Sequence, residues 1–120
     1  MAKILLVEDD ASAREMLERT LRGEGYDVTA VENGGEALEE AEKTVFDLVV
    51  SDVSMPEVDG VTMAETLLKA NPRLPLILMS AIADELARAS SLPGQTVRVL
   101  SKPVSLDQVR TEVKAALGSN

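Results

Sequence analysis

A chain of 120 residues makes one domain of ordinary size, and with no Cys and no His it has no disulfide, thiol nucleophile, zinc-thiolate site or imidazole chemistry. Twelve Lys and Arg against 21 Asp and Glu leave a formal charge of -9, a balance that repels nucleic acid and anionic membrane surfaces. One Tyr, one Phe and no Trp give single-stranded nucleic acid nothing to stack on, and no run approaches transmembrane length or reads as a signal peptide, so a soluble cytoplasmic protein is expected.

The first strand is predicted at Ile4-Leu5-Leu6-Val7, and Glu8-Asp9-Asp10 follows at once. Ala13, Met16, Leu17, Thr20 and Leu21 recur at helical spacing and predict a helix that buries this face. Ser12 with Glu15 offers it a capping box, and Asp10 is a rival cap. Gly23 and Gly25 end it, and Val28, Ala30 and Val31 predict a second strand. Asn33 with Glu36 opens a second helix through Ala37, Leu38 and Ala41. Leu48-Val49-Val50 then reads as a buried central strand. It ends at Ser51-Asp52, before a turn-rich segment containing Pro56 and Gly60. Val61, Ala64, Leu67 and Leu68 mark a third helix, stopped by Asn71-Pro72. Leu76 to Met79 is a fourth strand, ending at Ser80-Ala81. A weakly patterned helix over residues 84–91 closes at Pro93-Gly94. Val97, Val99 and Leu100 form a fifth strand that ends at Ser101-Lys102-Pro103. Ser105 with Gln108 caps the last helix, which faces inward through Leu106, Val109, Val113, Ala116 and Leu117. Gly118-Ser119-Asn120 is a tail.

Five strands alternating with five helices demand a parallel sheet with right-handed crossovers and helices on both faces. There is no linker, repeat or low-complexity tract. Ligands in such sheets bind beyond the carboxyl ends of the strands. Here those ends carry Glu8-Asp9-Asp10, Asp52, Ser80 and Lys102, with the second strand at the sheet edge. If strands one, three, four and five are neighbours, these groups share one crevice. Carboxylates held that close repel unless a cation neutralises them. Mg²⁺ suits one or two carboxylates plus a phosphate oxygen, and Lys adds a compact positive charge. The set fits the transfer of a phosphoryl group to a carboxylate, with metal and Lys on the phosphoryl oxygens and a hydroxyl bonding one of them.

Five segments in order, Leu5 to Asp10, Asp47 to Asp52, Met55 to Gly60, Leu78 to Ala81 and Leu100 to Pro103, make the chain resemble the receiver domain of bacterial two-component response regulators. The resemblance covers nearly all of residues 1–120. It implies a flavodoxin-like (βα)5 doubly wound sheet in three α/β/α layers, with strand order 2-1-3-4-5. It implies that Asp52 is the phosphoacceptor, served by a histidine kinase or a histidine phosphotransfer protein. Mg²⁺ (or Mn²⁺) would be bound by Asp9, Asp52 and the backbone carbonyl of Ser54, with Glu8 holding it through water. Lys102 would pair with the phosphoryl group, Ser80 would move to bond it, and Ala81 would leave room. Pro103 would follow a cis bond. Such a module catalyses only its own phosphorylation and dephosphorylation and is no enzyme towards a separate substrate. Its output would be a protein contact through the face of the fourth helix, fifth strand and fifth helix, or a phosphorelay step. Kinase contact is expected around Ala11, Ala13, Arg14 and Pro103-Val104. The alternatives are a receiver excised from a hybrid histidine kinase, or a stand-alone adaptor controlling a protease or localisation factor.

Plainer readings apply elsewhere. Asp10 is a capping or solvent-facing acid; Met55-Pro56 and Asp59-Gly60 are loop architecture; Glu36, Glu39, Glu40 and Glu42 form a solvated helix side. The chain departs from the family at Val99, where an aromatic switch residue is usual, at Val104 in place of Phe, and at Leu92-Pro93-Gly94-Gln95 in place of Gly-Ala. Without the aromatic, switching is expected to act through backbone shifts of residues 80–91. An aspartyl-phosphate phosphatase would want a second acid where Ser54 stands. A flavin module would want a hydroxyl- and Gly-rich loop where Glu8-Asp9-Asp10 stands.

Overall fold

Apolar runs of three or four residues, each cut off by polar residues, become the three central strands of one sheet, and stretches interrupted by Thr29 and Arg98 become its two edges. The computed structural model describes residues 1–93 and 96–118; Gly94 and Gln95 of the expected helix end, and Ser119-Asn120 of the tail, lie outside the described residues. The elements run β1 (Lys3–Val7), α1 (Ala11–Gly23), β2 (Asp27–Val31), α2 (Gly34–Lys43), β3 (Leu48–Asp52), α3 (Gly60–Ala70), β4 (Leu76–Ser80), α4 (Ala83–Ser90), β5 (Val97–Ser101) and α5 (Leu106–Ala116). The sheet is parallel with order β2-β1-β3-β4-β5. The chain therefore reverses its winding between β1 and β3, and the crevice opens there.

The central strands are apolar on both faces because both faces are covered. Leu5, Val7, Val49, Leu76 and Leu78 pack beneath α2, α3 and α4, through Ala37, Met63, Ala64, Leu67, Leu68 and Ala89. The alternating residues Ile4, Leu6, Leu48, Val50, Ile77 and Met79 pack beneath α1 and α5, through Leu17, Leu21, Val109 and Val113. Each fully buried Leu, Ile or Val contributes on the order of 1.5–3 kcal/mol.

Three details of α1 and α3 are left open by spacing or run against it. Asp10, not Ser12, caps α1: its carboxylate accepts from the Ala13 amide at 2.8 Å, while Glu15 pairs with Arg19 at 2.8 Å. Met16 is 55 % exposed, since Leu17 and Leu21 alone fill the space under α1. Met63, outside the expected stripe of α3, is fully buried. Ser105 and Gln108 do form the expected capping box at α5, with Gln108 N–H donating to Ser105 Oγ at 3.0 Å.

Candidate functional site

Each working group is fixed by the strand that ends just before it. Glu8 follows β1, and its amide continues the ladder to the Val31 carbonyl at 3.1 Å. Its side chain is turned inward, 3 % exposed, where Oε2 accepts from the Asp10 amide at 3.1 Å. Arg14 Nη1 donates to the Glu8 carbonyl at 2.9 Å and ties α1 to the same turn. Asp52 is the last residue of β3 and is 5 % exposed. The next amide, Val53, donates to Met79 at 2.9 Å, and the Gly60 amide folds the following loop back onto the Val53 carbonyl at 2.9 Å. That return brings Gly60 so close that a Cβ there would lie 2.4 Å from the Asp52 carbonyl oxygen. Lys102 leaves β5 with its amide bonded to the Ser80 carbonyl at 2.9 Å, and the Lys102-Pro103 peptide is cis.

The side chains converge. Lys102 Nζ stands 2.6 Å from Asp52 Oδ1. This is a charge contact: no aligned hydrogen bond reaches that buried oxygen. Glu8, Asp9 and Asp52 each offer a carboxylate oxygen, and these atoms lie within 4.8 Å of one another. Burial pushes Glu8 up to about 7; the Asp10 amide opposes the shift and the Asp52 charge adds to it. Burial likewise raises Asp52, against the pull of Lys102, with Asp9 and Glu85 adding negative charge. Burial works to lower Lys102, but its contact with Asp52 and the charges of Glu8 and Asp9 prevail and raise it. Three crowded carboxyls, one buried oxygen without a directed partner and hard oxygen donors together fit a divalent cation.

Ser80 ends β4 at 2 % exposure. Its hydroxyl does not turn to Asp52. It donates to Glu85 Oε1 at 2.6 Å and accepts from the Ile82 amide at 3.0 Å. Ala81 is exposed just beyond β4, Ser54 is exposed two residues beyond β3, and Val99 is half-buried within β5. The structure thus brings Glu8, Asp9, Asp52 and Lys102 together and leaves Ser80 beside them, held by α4. Glu85 escaped the sequence reading; the signal was an acid five residues after Ser80 in a first helical turn. Asp59, read as loop architecture, caps α3 through the Thr62 amide at 2.9 Å and pairs with Arg88 of α4 at 3.0 Å. Beside Lys102, Met16 and Leu17 of α1 and Pro103, Val104 and Leu106 line a shallow apolar groove. Among the described residues no helix is long and apolar enough to cross a membrane.

The profile of the family described as "Response regulator receiver domain" matches residues 4–114. The transcriptional regulatory protein ZraR of Escherichia coli is 35 % identical over 114 residues, covering 95 % of this chain and 26 % of that protein. The chain thus spans about a quarter of the length of that relative. The response regulator receiver protein CpdR of Brucella abortus is 33 % identical over 117 residues, covering 98 % of both chains. Among solved structures, the response regulator TrrA from Thermotoga maritima in complex with Mg²⁺-BeF superposes with a TM-score of 0.83 at 31 % identity, covering 97 % of this chain and 99 % of that one.

Proposed function

The chain belongs to the response regulator receiver domain family of two-component systems, and on that footing we propose that Asp52 accepts the phosphoryl group. The observation that carries this reading is the meeting of Asp52 with Lys102 and with the carboxylates of Glu8 and Asp9 at one end of the sheet. A buried carboxylate with a counter-ion at contact distance is a positioned nucleophile. Asp9 and Asp52 would hold a divalent cation directly, joined by the Ser54 carbonyl, and Glu8 would hold it through water. When bound, that cation, Mg²⁺ by preference, supplies positive charge against the phosphoryl oxygens and keeps the three carboxyls ionised.

Asp52 attacks the phosphorus of a phosphohistidine in line. The new bond joins phosphorus to the Asp52 oxygen; the phosphorus–nitrogen bond breaks and its electron pair stays on the imidazole. Lys102 follows the charge from Asp52 Oδ1 to a phosphoryl oxygen. Ser80 donates to another, and the small, exposed Ala81 leaves that approach open. The donor, a histidine kinase or histidine phosphotransfer protein, meets the groove of Met16, Pro103 and Val104 next to Lys102. The output is a protein contact through α4, β5 and α5, whose β5 is a half-buried edge strand. The chain turns over no separate substrate. In the TrrA complex the ligand is Mg²⁺-BeF, which supports the same chemistry here.

Incubation with acetyl phosphate and Mg²⁺ is expected to add one phosphoryl mass to the parent and none to Asp52→Ala. Equal labelling of both would remove Asp52 from the reaction.

A further inference from the structure

We propose that Glu85 is a positioning residue that holds the Ser80 hydroxyl off the phosphoryl site and must release it for the domain to switch. The inference rests on the phosphoacceptor reading above. A serine hydroxyl has one proton to donate. Here that proton goes to Glu85 Oε1 at 2.6 Å, the short distance of a hydrogen bond to an ionised acceptor. Ser80 cannot also donate to a group on Asp52. The two acceptors, the Glu85 carboxylate and a phosphoryl oxygen, exclude each other.

Three further observations fit a latch better than an incidental contact. Ser80 is 2 % exposed, so its hydroxyl cannot fall back on bulk water. Arg88, the cation one turn on from Glu85 in α4, turns to Asp59 at 3.0 Å and not to Glu85. The same Ser80 oxygen accepts from the Ile82 amide at 3.0 Å, while Ile82, the residue at the cap of α4, has no side-chain cap of its own. One hydroxyl therefore ties the first turn of α4 to the end of β4 from both sides, through Glu85 and through Ile82. Moving it towards Asp52 frees that turn.

This gives the domain a two-position element where Val99 provides no aromatic ring to swing. The site end is the Ser80 hydroxyl; the reporting end is α4. Coupling then runs through a pair of mutually exclusive hydrogen bonds, which is the physical requirement for a switch.

The test is a double-mutant cycle read as beryllofluoride affinity in saturating Mg²⁺ by calorimetry, on the parent, Glu85→Ala, Ser80→Ala and the double variant. Ala is the best helix former, and thermal melts will show that α4 keeps its fold. Loss of a charge-assisted bond that holds the free state is expected to tighten binding by about tenfold in Glu85→Ala relative to the parent. In the Ser80→Ala background the same substitution is expected to give only the smaller gain that comes from removing Glu85's negative charge near Asp52. No tightening in Glu85→Ala overturns the latch. Equal tightening with and without Ser80 also overturns it, because the effect would then be charge repulsion alone. A parent that takes no beryllofluoride overturns the phosphoacceptor reading and the latch with it, a result distinct from either.

Discussion

Lys102 faces Asp52 at 2.6 Å, and the charges of Glu8 and Asp9 act on it as well. Its charge opposes a cation for the same carboxylates but favours the developing charge of a transferring phosphoryl group. Replacing it with an isosteric apolar residue separates the two roles. Lys102→Met is expected to slow phosphorylation by acetyl phosphate by about 10²–10³-fold, the usual effect of removing one positioned electrostatic donor. Mg²⁺ affinity, measured by calorimetry, should hold or rise, because a competing positive charge has gone. A parallel loss of both would mean that Lys102 chiefly holds the fold. The charges of this site were legible in the sequence because each sits where an apolar run stops: Glu8-Asp9 after Val7, Asp52 after Val50-Ser51, Lys102 after Leu100-Ser101. The bond from Ser80 to Glu85 was not, because it depends on how the chain turns into α4 and on which way one hydroxyl points. The choice of Asp10 over Ser12 as cap was decided by a single backbone boundary, which spacing leaves open by one or two residues.

At the level of elements, the loop between β3 and α3 shapes the floor of the site. Asp59 caps α3, the Gly60 amide bonds Val53, and the α-carbon of Gly60 faces the Asp52 carbonyl with no room for a methyl group. Gly60→Ala forces either the start of α3 or the end of β3 to move. The expected cost is ~1–3 kcal/mol, the range of overpacked interiors, read as a lower midpoint in urea. Because the displaced atom belongs to Asp52, the variant should also bind Mg²⁺ more weakly. Unchanged metal affinity beside lost stability would show that the helix had moved and the strand had not. The central strands stand out as apolar runs because each is covered on both sides, and four of the helices show in periodicity and capping residues, while α4 is only weakly patterned. What periodicity missed was how wide each helix face is. The inward face of α1 narrows to Leu17 and Leu21 and leaves Met16 out; that of α3, clasped between α2 and α4, widens to take in Met63. Width is set by how many neighbours surround a helix, which no single segment encodes.

Across the whole molecule, the metal-free fold keeps carboxyls buried at a cost to their charged forms, and repulsion from neighbouring acids adds to it. Glu8 is raised from 4.5 to about 7, so between those values the folded state holds more protons than the unfolded one. Stability therefore falls as pH rises through that window, and it is highest on the acid side. Asp52, also raised, acts in the same direction; Asp59, which its Thr62 and Arg88 bonds lower despite burial, acts in the opposite one. The metal-free protein should melt higher at pH 5.5 than at pH 8, by roughly 5 °C for a domain of this size. Glu8→Gln should flatten the profile, and saturating Mg²⁺ should flatten it for the parent. A melting point that climbs from pH 5.5 to 8 in metal-free buffer would contradict the assignment.

The contact between Asp52 and Lys102 bridges the middle of the chain and its last strand. Along the chain, Asp52 comes well before the ammonium that faces it. Until β5 docks along β4, Asp52 has no counter-charge and the hollow has no wall on that side. The charge pairing of the site is therefore complete only once the last strand is in place.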